Sequence, residues 1–233
     1  MRVTPKIEPR WCIDGMLTIL WDNDGVLVNT EGLYFQATRD VLCSVGVPLT
    51  TDQFKEISLR RGETCFRLAA ERGITDGEIT RLRMERDRLH AEMLGSQSCA
   101  IDGAEDVLRS LHGQVRMGVV TSARRVHFEA AHANTNLRRY LDFELTREDY
   151  QQSKPHPEPY LTALGRYRLR PGDCIVVEDS ERGLAAATTA GLRCLVVLNS
   201  WSRDGDFGKA TRVLPSIRDV PGVIVGWSGD VES

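Results

Sequence analysis

The stretch LTILWDNDGVLVNTE (17–31) ends an apolar run in two aspartates, Asp22 and Asp24, one residue apart and followed by Gly25. Close carboxylates repel, and each raises the pKa of the other unless a cation or a shared proton intervenes. Two later apolar runs also end in reactive groups: VRMGVV (115–120) in Thr121 and Ser122, and CIVVE (174–178) in Glu178 and Asp179. A lysine, Lys154, stands in Ser153-Lys154-Pro155, just before a helical pattern. The acids Asp22, Asp24, Glu178 and Asp179 offer only oxygen donors, a set that suits Mg²⁺ better than zinc. Lys154 and Thr121 add the positive charge and hydrogen bonds that a phosphoryl group needs. Together these residues outline a phosphoryl-transfer site.

Each feature also has an ordinary explanation. Asp-x-Asp-Gly is common in turns and calcium loops, although no further acid follows at EF-hand spacing and the preceding run reads as a strand. Glu178-Asp179 and Thr121-Ser122 would each serve as helix N-caps, and Lys154 as a surface residue. All four features, standing in order at successive strand ends, point to one site.

The elements that must position them follow from hydrophobic patterning. LTILW (17–21), VRMGVV (115–120), CIVVE (174–178) and CLVVL (194–198) are short, continuous and rich in Val, Ile and Leu, as strands buried on both faces are. Helical patterns separate them at 104–112, 124–132, 155–166 and 181–190, the last stopped by Gly191. This alternation predicts an α/β fold with a doubly wound, Rossmann-like parallel sheet, in which ligands bind beyond the carboxyl ends of the strands. Residues 31–100 break the alternation with helical patterns and no convincing strand, which predicts an inserted all-helical cap domain. The core then comprises 16–30 and 101–233, with 1–15 as an N-terminal extension expected to be poorly ordered. Within the insert, EITRLRMERDRLHAEML (78–94) interleaves arginines with glutamates, the pattern of a salt-bridged, solvated helix face rather than a nucleic-acid patch.

Bulk properties exclude several classes. Of 233 residues, 41% are hydrophobic and 27% charged, with a net charge of -3, which argues against nucleic acid and anionic membranes as partners. No segment approaches the roughly 18–20 apolar residues needed to span a bilayer, and MRVTPKIEPRWCIDGM (1–16) has no apolar run of the secretory kind. Six scattered cysteines fit a reducing compartment. A cytoplasmic monomer acting on a small phosphorylated metabolite is expected. Nearly all of the 30 basic residues are arginine; the lysines are Lys6, Lys55, Lys154 and Lys209, so a lysine within a motif is informative.

At this point the chain resembles the haloacid dehalogenase superfamily, in the branch with a helical cap after the first strand. DNDGVL resembles the first motif, VVTS the second, SKPHPEPY the third and VVEDSERGLAAA the fourth, over roughly residues 16–200. The resemblance implies Asp22 as nucleophile, forming an aspartyl-phosphate, and Asp24 as general acid and then base. It implies Mg²⁺ held by the Asp22 carboxylate, the Asp24 backbone carbonyl and Asp179, with Glu178 direct or through water. Thr121 and the Ser122 amide would bind phosphate oxygens, and Lys154 would neutralise charge between nucleophile and phosphate. Asn23 would contribute mainly its backbone, Gly25 a sharp turn, and Thr30 a hydroxyl at the cap entrance. Asn29 stands where the branch often has Asp and receives no role, and Trp21 replaces a common Phe. Relatives that cleave carbon–halogen or carbon–phosphorus bonds lack the second aspartate, so Asp24 argues for phosphate esters.

The cap would choose the substrate. ISLRRGETCFRL (57–68) resembles the cap loop of sugar-phosphate phosphatases and β-phosphoglucomutase, with Arg60 and Arg61 beside Gly62 as candidate substrate contacts. The mutase loop usually reads Gly, one residue, Ser, Arg, whereas Gly62-Glu63-Thr64-Cys65 stands here. A phosphosugar mutase is therefore the alternative to a phosphatase, and a non-catalytic binding protein the more distant one.

Overall fold

In a computed structural model of the chain, which describes residues 16–227, six strands form one parallel sheet. They are β1 (Thr18–Trp21), β2 (Arg116–Val120), β3 (Phe143–Leu145), β4 (Cys174–Glu178), β5 (Arg193–Val197) and β6 (Arg212–Leu214), in spatial order β3-β2-β1-β4-β5-β6. Every residue of β1, β2 and β4 is buried, which is why these strands read as unbroken apolar runs. β1 lies between β2 and β4, in register Trp21 with Val119 and Val177. The chain builds outward from β1 in both directions, so the strand order reverses beside it and a crevice opens past the carboxyl ends of β1, β2 and β4. The expected 1–15 extension lies outside the described residues.

The patterning misses β3 and β6. Both are three residues long and sit at the edges of the sheet, too short for periodicity to show. The helices are α1 (Glu31–Ser44), α2 (Thr51–Phe54), α3 (Arg67–Ala70), α4 (Asp76–Gly95), α5 (Ala104–Leu111), α6 (Arg125–His132), α7 (Glu158–Tyr167), α8 (Glu181–Thr189) and α9 (Val220–Trp227). A π-helical turn, Lys55–Arg60, joins α2 to the loop before α3. One expected boundary is corrected: α7 begins at Glu158, not at 155. The segment before it folds back instead, with the Gln151 and Gln152 N–H groups donating to the Glu158 carboxylate at 2.8 Å each.

Two apolar clusters cover the two faces of the sheet, and a third forms within residues 41–82 around Phe54, Phe66, Leu42 and Leu82. Among the described residues of 31–100 only helices and turns occur, apart from an isolated bridge pairing Val28 with Ala100. The two passages of chain between sheet and insert run side by side there: Asn29 N–H donates to Cys99 O, and Ile101 N–H to Leu27 O. The arginine-rich face of α4 pairs with its own acids, Arg81 with Glu78 at 2.5 Å and Arg88 with Glu85 at 2.7 Å and Glu92 at 2.5 Å.

Candidate active site

Asp22 leaves β1 with its N–H still donating to Val177 O at 2.8 Å, so the sheet ladder itself aims the first carboxylate. Lys154 lies across the strand ends. Its ammonium donates to Asp22 Oδ1 at 2.8 Å, Glu178 Oε1 at 2.6 Å and Val120 O at 2.8 Å, which uses all three of its protons. Glu178 is wholly buried and also accepts from the Tyr160 hydroxyl at 2.5 Å. A Cβ at position 183 would run into the Glu178 carboxylate, so Gly183 is what lets α8 approach it. Burial acts to lower the Lys154 pKa, but Asp22 and Glu178 outweigh it and hold the ammonium above the ordinary lysine range. Lys154 is therefore a fixed positive charge.

Asp22, Glu178 and Asp179 each present an oxygen within 4.8 Å of the others. Burial, and then the Glu178 carboxylate, push the Asp22 carboxyl up to about 7. Burial, and then Glu31 and Asp22, push Asp179 well above the usual carboxylate range. Three buried acids against one ammonium leave uncompensated negative charge, and the donors are all oxygen. The trio therefore fits a hard divalent cation.

The Asp24 side chain stands outside that trio. Its Oδ1 takes a short hydrogen bond from the Thr30 hydroxyl, and its Oδ2 accepts from Thr121 Oγ1 at 3.3 Å. Both of its carboxylate oxygens are thus engaged by hydroxyls rather than grouped with the three clustered acids. Thr121 is wholly buried and also accepts from the Ala123 N–H at 3.0 Å. The N-cap of α8 is Ser180, accepting from Gly183 N–H at 3.0 Å, so Glu178 and Asp179 are not spent as caps.

The remaining expected residues divide. Asn23 is wholly buried, and its side-chain oxygen accepts from His132 Nε2 at 2.8 Å, so its side chain serves the fold. Burial, then Arg138, lower the His132 pKa to about 4 and keep that ring neutral. Ser122 lines both of two adjoining cavities above the strand ends, of about 180 and 360 Å³. Arg60 lines the smaller one. Arg61 lines neither; it pairs with Glu56 at 2.8 Å on an exposed face. Asn29 is exposed, and its N–H donates to Cys99 O at 2.8 Å.

Several site residues escaped the sequence reading. Glu31, at the first position of α1, lines both cavities, and burial and then Asp24 push its carboxyl up to about 8. Arg182 also lines both cavities, donates to the Lys154 carbonyl in a short hydrogen bond, and lies where a Cβ on Gly62 (φ +67) would sit. The larger cavity is walled by Tyr34, Arg86, Asp87, His90, Arg124 and His127. There α4 meets α6: Asp87 pairs with Arg124 at 2.8 Å, and His90 Nδ1 lies 2.9 Å from His127 Nδ1. Single histidines and charges on helices carry no sequence signal that separates them from surface residues.

A family model for haloacid dehalogenase-like hydrolases matches residues 19–197. The chain belongs to that family and is an enzyme of its phosphomonoester-hydrolysing kind, in the branch suggested by the four motifs. It is 30% identical over 181 residues to a phosphorylated carbohydrates phosphatase of Thermotoga maritima, covering 76% of this chain and 82% of that one. It is 29% identical over 180 residues to the fructose-1-phosphate phosphatase YqaB of Escherichia coli, covering 75% and 92%. The crystal structure of CbbY from Rhodobacter sphaeroides in complex with phosphate superposes with a TM-score of 0.75 at 24% identity, over 88% of this chain and 96% of that one, and shares the fold.

Proposed function

We propose that the enzyme is a Mg²⁺-dependent phosphatase of a small phosphorylated metabolite, most simply a sugar phosphate, working through an aspartyl-phosphate on Asp22. The observation that carries the reading is the buried Lys154 joining Asp22 to Glu178 beside Asp179. Asp22 Oδ1 is engaged by the lysine, and Oδ2 takes no hydrogen bond among the described residues. Asp22 attacks phosphorus as the bond to the leaving alkoxide breaks, and Asp24 supplies the proton that alkoxide needs. Asp24 then removes a proton from water, which attacks phosphorus and returns Asp22 as a carboxylate. Mg²⁺ held by Asp22, Asp179 and the Asp24 carbonyl, with Glu178 direct or through water, would offset phosphate charge. Lys154 fixes the nucleophile and faces the same charge. Thr121 and the Ser122 amide serve the phosphate oxygens.

Residues 31–100 act as the cap and 16–30 with 101–233 as the core. The larger cavity, walled from both, would take the leaving group. Its carboxylates, phenol and imidazoles suit hydroxyls, and the Thermotoga relative acts by name on phosphorylated carbohydrates. Among the described residues no helix is long and apolar enough to cross a membrane, and five cysteines are unpaired. Both facts support a cytoplasmic enzyme, which we take to be a monomer with no nucleic-acid partner.

The test is phosphate release from a panel of phosphomonoesters, with Mg²⁺ and with excess EDTA. Release that EDTA abolishes, greatest with sugar phosphates, is the expected result. Metal-independent release would overturn the mechanism. Conversion of β-glucose 1-phosphate to glucose 6-phosphate without phosphate release would replace the phosphatase by the mutase.

A further inference from the structure

Two residues past the end of β5 stands a polar residue, Asn199, which has no role in the reading above. Its Nδ2 donates to Asp179 Oδ2 at 2.8 Å and to Gly25 O at 3.2 Å. Its Oδ1 accepts from the N–H groups of Trp201 at 2.8 Å and Ser202 at 3.1 Å, and its own N–H donates to Ser202 Oγ at 3.2 Å. The chemistry fixes the amide's orientation: two N–H donors demand the oxygen, and a carboxylate with a carbonyl demands the nitrogen. Gly25 makes room. With φ +79 and no Cβ, it lets Asn199 Nδ2 stand 2.7 Å from where a Cβ would be, with Asp179 and Glu31 crowding the same point.

Among the described residues Asn199 is the only side chain that hydrogen-bonds the Asp179 carboxylate. Two residues on, Trp201 packs against Phe35 (ring centroids 5.9 Å apart) and Phe54 (5.7 Å), at the edge of the helical insert's own apolar cluster. One short turn therefore touches a cation-binding carboxylate at one end and the insert at the other.

We propose that Asn199 is a positioning residue that aims the Asp179 carboxylate at the cation, and that Trp201 anchors this aim in the helical insert. The proposal rests on the reading of Asp179 as a cation ligand. Holding one carboxylate oxygen by hydrogen bond directs the other, and loss of such an outer partner typically costs about 10- to 100-fold in metal affinity.

The experiment is calorimetric titration of Mg²⁺ into the full-length protein, for wild type, Asn199→Ala and Asn199→Ser, with kcat and KM at saturating Mg²⁺. Serine can still cap the turn by accepting N–H bonds but cannot reach Asp179, so it keeps the loop and removes only the donor. Both variants should bind Mg²⁺ about 10- to 100-fold more weakly, with kcat largely restored at saturating metal. If Asn199→Ser binds Mg²⁺ as wild type does, Asn199 shapes the turn only and the proposal falls. If wild type itself binds no Mg²⁺, the cation reading falls with it, which distinguishes the two failures. Trp201→Ala should weaken Mg²⁺ binding by a smaller factor and raise KM. Unchanged Mg²⁺ affinity in that variant overturns the anchoring half.

Discussion

Lys154 and Arg88 each hold two carboxylates, yet the two arrangements have opposite consequences. Lys154 is 5% exposed between Asp22 and a wholly buried Glu178. Arg88, on α4, is 54% exposed between Glu85 and Glu92. In water an ion pair gains little, because solvent already stabilises each charge. In the interior the charges have lost their water, and removing one partner strands the others. The ion-paired residues of α4 keep a helix face soluble, whereas the network around Lys154 concentrates charge where chemistry can use it.

The largest effect expected is on turnover. Asp22→Asn removes the nucleophile and should lower kcat by about 10⁴-fold or more, the scale of losing a covalent catalyst. It also removes one of three crowded carboxylates, so the folded state should be retained by circular dichroism. A wild-type rate in that variant would remove Asp22 from the mechanism.

The next effect breaks the comparison directly. Lys154→Met strands Asp22 and Glu178 as buried charges and should cost about 3–5 kcal/mol in denaturant unfolding. Arg88→Ala, equally rich in ion pairs, should leave the unfolding midpoint unmoved. Equal losses in the two variants would show that burial does not separate the regions as argued.

The two regions also differed in how much the sequence disclosed. β1, β2, β4 and β5 announce themselves because burial on both faces disfavours polar interruption, and the structure brings the groups at three of their ends together. The same rule applied to β5 points to Asn199, but an amide offers neither charge nor nucleophile and drew no attention. The residues that wall the larger cavity come from α1 and α4 of the helical insert and from the start of α6 in the core, far apart in sequence. Tyr34, Asp87, His90 and His127 meet only through the packing of α4 on α1 and α6, which no local pattern encodes. Arg60 and Arg61 show the limit from the other side. Adjacent in sequence and alike in chemistry, both are exposed and both pair with Glu56, at 3.4 and 2.8 Å, yet Arg60 alone of the two lines a cavity.

A smaller effect concerns pH and metal. Burial, and then Glu178, push the Asp22 carboxyl from its ordinary value of 3.8 up to about 7 in the fold. Between those values the native state binds more protons, so the metal-free protein loses stability as pH rises through that window. Mg²⁺ competes with the same protons. Mg²⁺ should therefore raise the thermal midpoint more near pH 8 than near pH 5. An equal shift at both values would mean that the cation is not relieving the Asp22–Glu178–Asp179 repulsion.

The smallest effect lies where the two regions touch. His90 Nδ1 and His127 Nδ1, 2.9 Å apart, can share a hydrogen bond only if one donates and the other accepts. Burial, then His127 and Arg86, lower the His90 pKa to about 3, against Asp87; burial, then Arg124 and Arg86, lower that of His127, against Asp87 and Asp24. Below the unfolded value of 6.5 the native state binds fewer protons, so the contact between α4 and α6 weakens as pH falls and is fully present above that value. Asp87–Arg124 remains paired across the same seam, so the loss should be partial. KM should rise a few-fold between pH 7 and pH 5 while the Asp22-dependent chemistry follows its own profile. In His127→Gln, which keeps a neutral hydrogen-bonding group without a titrating ring, that rise in KM should flatten. If wild type and His127→Gln show the same KM profile, the imidazole pair does not report on the seam, and the pH response belongs wholly to the carboxylates around Lys154.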